Sequence, residues 1–192
     1  MAAPDTGRYA RITVSLHWLI GLLILVQIGL GWYMNKVLPD HSPAQESIET
    51  LHISLGLTTM LLIAVRIGAR LAFRAPAMPP GLQSWERLLA HLTAAVFYLL
   101  MLALPLSGWV LVSMHKHAPQ FWGLPWPKLP GFAGMDPAAA KSLHESVQGV
   151  HTDVLVWTLL AVLALHVAGA IKHQFDGHPV MWRIVPFLKA PR

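Results

Sequence analysis

Two histidines, His151 and His166, lie in the last long apolar run of the chain, roughly residues 149–171. On an α-helix their separation amounts to about 22 Å of rise and about 60° of rotation, so they share one face near opposite ends of a single span. Two more, His17 and His52, sit inside apolar segments that read SLHWLIGL and LHISLGL. Burying an imidazole in hydrocarbon without a partner costs several kcal/mol, which makes each of these a functional candidate. The chemistry open to them is hydrogen bonding within a core, transition-metal ligation, or axial ligation of haem iron.

The composition decides what kind of scaffold must position them. Of 192 residues, 55% are hydrophobic and 12% charged, where a soluble domain carries about 25% charged residues. Mean hydropathy is +0.52, and the chain reads as a membrane protein. There is no cysteine, which excludes disulfides, iron–sulfur clusters and covalently attached haem. The net charge of +5 comes from basic residues that flank apolar runs instead of forming a stripe with aromatics, so nucleic acid is not the partner.

Four runs are long enough to cross a bilayer, at residues 12–34, 51–73, 88–114 and 149–171. The first is too long for a signal peptide and is expected to remain as a span. Arg66 and Arg70 in the second are expected to snorkel toward the nearer interface, and Pro105 to kink the third. The proline-rich connection APAMPPGLQSWER makes a tight antiparallel turn. The longer loop from His115 to Gln148 is broken by Pro and Gly until PAAAKSLHESV, a helix-compatible lead-in to the fourth span. No internal repeat is visible. The expectation is one domain, residues 1–192, folded as an all-α, up-down, four-helix transmembrane bundle.

Ten of the 14 Lys and Arg fall on the side holding both termini, giving net +7 there and −2 on the other side. By the positive-inside rule both termini are cytoplasmic. His17 then lies about five residues into the first span, and His166 about five to seven residues from the end of the last, at one depth. His52 and His151 each open a span from the outer side, at a second depth. Two such pairs match two b-type haems, each ligated by two histidines and stacked across the bilayer. Gly21, Gly56, Gly169 and Ala170 follow these histidines by about one turn and leave room for a porphyrin edge. A metal transporter would want carboxylates beside the imidazoles at mid-membrane, and none is there.

His144 is the alternative to His151, lying about 20° round the same face. It stands about 33 Å from His166, however, which would push the outer haem into the headgroups. His91, His173 and His178 read as interfacial residues, His41, His115 and His117 as loop residues, and Met101 and Met114 as packing or surface residues rather than ligands.

The segments YARITVSLHWLIGLLIL, LHISLGLTTMLLIAVRIGARL, FYLLMLALPLSGW and LALHVAGAIKHQFDGHPVMWRIVP resemble the bacterial cytochrome b561 family of inner-membrane di-haem cytochromes. The likeness spans nearly the whole chain. It implies two non-covalent haems b on His17, His52, His151 and His166. In that family the outer ligand of the last span stands 14 residues before the inner one and is followed by Glu; here the spacing is 15, His151 is followed by Thr152, and it is His144 that precedes Glu145. A local bulge that absorbs one residue keeps His151 as ligand; otherwise His144 takes its place.

Iron with two axial histidines has no position free for substrate, so electrons enter and leave through the porphyrin edges, with a quinone as the lipid-soluble partner. The resemblance implies superoxide oxidation coupled to ubiquinone reduction. A quinol-linked subunit serving a periplasmic redox protein is the alternative, and a haem-free transport or structural bundle the alternative of another class. Steering superoxide favours a positive outer face, and the −2 runs against it.

Overall fold

The structure, a computed structural model, describes residues 7–132 and 134–190. Asp5 and Arg192, two of the charges counted above, lie outside the described residues. The chain forms α1 (Arg11–Lys36), α2 (Pro43–Ala72), α3 (Ser84–Ser113), a hairpin of β1 (Gln120–Phe121) and β2 (Leu124–Pro125), α4 (Pro137–Gly149), a π-helical segment (Val150–Leu155) and α5 (Val156–Phe175). Four helices are long and apolar enough to cross a membrane, the fourth being the continuous run Pro137–Phe175.

Local chemistry sets where each helix begins. Ser42 caps α2 by accepting from the Gln45 backbone at 3.2 Å, with Pro43 in the first turn, where its missing N–H costs nothing. That cap starts α2 eight residues earlier than hydropathy alone suggests. α3 opens on a Glu86 carboxylate that accepts from Gln83 N at 2.9 Å. Asp136 caps α4, taking Ala138 N and Ala139 N at 3.0 and 3.1 Å, again with proline next in sequence. α3 runs through Pro105 without interruption.

α1 packs along α2, while α5 and the π segment pack along α3, so the bundle consists of two helix couples joined chiefly where α2 meets α3. Leu16, Ile20, Ile63, Ala69 and Met101 form the buried centre, flanked by Phe97 and Tyr98. Met101 is thus a packing residue. Leu22, Leu25, Trp157 and Leu165 point outward and stay exposed, as lipid-facing side chains do when there is no water to hide from.

The start of α1 and the segment after α5 meet at one end of the bundle, where Tyr9 N donates to Arg183 O at 3.4 Å. At the other, loop end, the hairpin turns through Trp122 and Gly123, with φ of 51° and 84°, the left-handed pair that a tight two-residue hairpin demands. It is strapped to α2, because Ser54 Oγ donates to Gln120 O at 3.2 Å and Trp122 Nε1 donates to Thr58 Oγ1 at 3.0 Å. On its far side Trp109 Nε1 of α3 donates to Pro127 O at 2.8 Å.

Candidate haem sites

Each histidine pair bridges the two helix couples. His17 of α1 and His166 of α5 face each other with ring centroids 6.1 Å apart and planes at 60°. His52 of α2 and His151 of the π segment do the same at 6.4 Å and 74°. Two imidazoles on opposite sides of one metal ion stand about 6.3 Å apart, from metal–nitrogen bonds of about 2.0–2.1 Å and about 1.1 Å from nitrogen to centroid. Both observed separations fit that span. Among the described residues no group of three or more His, Cys, Asp or Glu converges, so the histidines occur as pairs and not as a multi-carboxylate metal site.

The π segment explains the fifteen-residue spacing. A π turn inserts one residue without continuing the α register, whereas one extra residue in a regular helix would swing everything beyond it by about 100°. His151 lies within this turn and faces His52. His144 instead stacks on His115, with centroids 5.7 Å apart and planes at 26°.

Neighbouring side chains orient the rings. Ser107 Oγ donates to Leu104 O at 2.8 Å and lies 2.8 Å from His151 Nδ1. With its own proton used, the hydroxyl accepts from Nδ1–H, which leaves the Nε2 lone pair of His151 free to ligate. A Cβ built on Gly108 would meet His151 Cε1 at 3.6 Å, and one on Gly31 would meet His52 Cε1 at 3.7 Å. Both are ordinary van der Waals distances, so alanine would fit at either place and these backbones lie directly against the rings. His52 Nδ1 is buried without a hydrogen bond, while Gln27 Nε2 donates to the His52 carbonyl at 3.0 Å. At the other pair, Trp18 packs edge-on to His17 and Phe97 edge-on to His166, each with centroids 5.3 Å apart.

Arg66 departs from expectation. Instead of snorkelling, it turns into the bundle, donating to Thr13 O at 3.1 Å, with Nη2 3.4 Å from His17 Nδ1. A guanidinium can only donate, so ligation through His17 Nε2 requires that long contact to give way. Gly56 also differs: a Cβ there would meet Gln27 Nε2 at 2.9 Å, so this glycine makes room for a side chain of α1. Gly21 and Gly169 have no protein atom within 4 Å of such a Cβ, consistent with space for a porphyrin edge. His91 is exposed and its Nδ1 lies 2.7 Å from Arg87 O, and His178 rests against Gly81.

Sequence reasoning missed Ser107, Gly31 and Gly108. The signal for Ser107 was a hydroxyl two residues beyond Pro105 in otherwise apolar sequence. Nothing in sequence marked the two glycines, because each faces a histidine on another helix.

Four helices long and apolar enough to cross a membrane enclose two facing histidine pairs, which makes this a helical membrane bundle. The sequence profile of the prokaryotic cytochrome b561 family matches residues 8–187, and the chain belongs to that family: a multi-pass protein of the bacterial inner membrane that binds haem b and transfers electrons. Cytochrome b561 homolog 2 of Escherichia coli (strain K12) is 25% identical over 171 residues, covering 88% of this chain and 85% of its own. Probable superoxide oxidase CybB of Yersinia pestis is 25% identical over 170 residues, covering 88% and 89%. Cytochrome b562 of Cereibacter sphaeroides is 30% identical over 106 residues, covering 52% of this chain and 63% of its own.

Proposed function

We propose that this chain holds two haems b, one on His17 and His166 and the other on His52 and His151, with both termini in the cytoplasm. What carries the reading is the pair of centroid separations, 6.1 and 6.4 Å, on histidines drawn from four different stretches of sequence. Bound there, the two groups supply one-electron transfer between the membrane faces. The residues do the rest. His17 with His166, and His52 with His151, would hold the iron through their imidazole nitrogens, an arrangement that suits electron transfer rather than substrate binding at the metal. Ser107 keeps the His151 proton on Nδ1. Arg66 sets a positive charge beside the inner pair.

The full reaction is superoxide oxidation at the outer face coupled to ubiquinone reduction, a reading supported by similarity to the probable superoxide oxidase of Yersinia pestis. The outer charge balance favours a second reading, a quinol-linked subunit serving a periplasmic redox protein. Two outer lysines are already engaged there: Lys141 lies 3.9 Å from Glu145, and Lys128 donates to the carbonyls of His115 and Lys116.

Absorption spectroscopy and haem stoichiometry of the purified protein come first. Two low-spin b-type haems per chain are expected, and a haem-free bundle would end both readings. Stopped-flow mixing with superoxide then separates them, since only a superoxide oxidase has its haem reduced on the millisecond scale.

A further inference from the structure

A groove of about 510 Å³ lies at the terminal end of the bundle, between the start of α1 and the C-terminal segment, and Arg8, Tyr9, Arg11, Ser15 and Arg183 line it. We propose that it binds the phosphodiester headgroup of an anionic glycerophospholipid.

Three arginines line this groove, and none of them is ion-paired among the described residues. Among the described residues the ion pairs are those of Lys141 with Glu145 and of Lys172 with Glu86 and Asp176. Arg8 and Arg183 also share one aromatic ring, lying 5.4 and 5.7 Å from the Trp182 centroid. Their remaining bonds go to neutral carbonyls: Arg8 to Pro186 at 3.5 Å and to Leu188, Arg183 Nη1 to Ala77 at 2.5 Å. Arg183 Nε is buried with no partner. Arginines gathered on one groove make its surface locally positive, and a phosphate accepts from several guanidinium N–H groups at once.

The positive-inside rule accounts for arginines at this end but not for their convergence on one groove. A lipid accounts for what lies below it. Arg11, Ser15, Trp18 and Leu22 follow one another at helical spacing down one face of α1, and Trp18 and Leu22 are exposed. The Trp18 indole donates to Ile184 O at 2.8 Å, pinning the C-terminal segment to α1 where a headgroup gives way to acyl chain. Such a face offers phosphate contacts above and hydrocarbon contacts below, which free phosphate cannot use.

The test is native mass spectrometry of the full-length protein as purified, released from nanodiscs containing equal phosphatidylglycerol and phosphatidylcholine. One phosphatidylglycerol should be retained, at least fivefold over phosphatidylcholine. Arg11→Gln should abolish that preference, while Arg74→Gln, at the same end but outside the groove, should keep it. Arg11 makes no side-chain hydrogen bond among the described residues, so its loss leaves the fold intact; Arg183→Gln should act likewise, with its thermal midpoint checking folding. Equal retention of the two lipids, or unchanged preference in Arg11→Gln, overturns the site. Displacement of phosphatidylglycerol by an equal concentration of inorganic phosphate overturns its assignment to a lipid.

Discussion

Ser107 Oγ sits 2.8 Å from His151 Nδ1 and spends its own proton on Leu104 O, so one hydroxyl fixes both the tautomer and the direction of the ring. Ser107→Ala removes the acceptor and frees the imidazole. Affinity for the outer haem should fall by about 10–100-fold, as for other groups that orient a metal-bound histidine, while Ser107→Thr should restore most of it. Haem content on dilution and low-temperature electron paramagnetic resonance read the effect. A Ser107→Ala protein with unaltered outer-haem affinity and signal would remove this role.

The pairing makes a sharper demand. His17→Ala and His166→Ala should each lose the same haem, and His52→Ala and His151→Ala the other. His144→Ala should keep both, since His144 stacks on His115. Pyridine haemochromogen assays give the count, and redox titration shows which haem is gone. Loss of the outer haem in His144→Ala, with its retention in His151→Ala, would reverse the assignment.

The π segment allows a deletion test. Val154 is exposed and lies between His151 and His166 within the π turn. Removing it should convert the turn to regular helix, preserve the facing of both pairs and leave two haems bound. Deleting Ala161 in α5 instead should leave the turn in place and rotate one histidine relative to the other by about 100°, so a haem is lost. Equal damage from the two deletions would show that the π turn is not what holds the register.

Arg66 bears on potential. A positive charge beside the inner pair stabilises the reduced, less positive iron. Arg66→Gln should therefore lower the inner potential by roughly 50 mV, with the outer potential unchanged. Spectroelectrochemistry measures both, and a rise in the inner potential would contradict the role.

Much of this was legible in the sequence because two of its signals are collective. Hydropathy over some twenty residues marks a span whatever its neighbours do, and the four spans appear as helices. Depth along a span follows from counting residues, so His17 with His166 and His52 with His151 could be paired before any coordinates. What stayed hidden depends on single contacts between helices. Arg66 reads as a snorkelling residue until Thr13 O of α1 is seen to hold it. Gly56 reads as a porphyrin gap until Gln27 fills the space. The one-residue excess before His166 was visible, but the π segment at Val150–Leu155 that accompanies it was not, since sequence alone does not mark a change of helical register. The early start of α2 was written in Ser42 and Pro43, which hydropathy does not weigh.

The hairpin has a bearing on traffic in the plane of the bilayer. Its tip reaches Thr58, more than a turn beyond His52 along α2, and its far side is held by Trp109 of α3. At the depth of His52 the seam between α2 and α3 is therefore shuttered. A reactant diffusing in that leaflet is turned away from this flank, so the approaches left are from above the bilayer or along the other seams, and the bundle has a sidedness around its own axis as well as across the membrane.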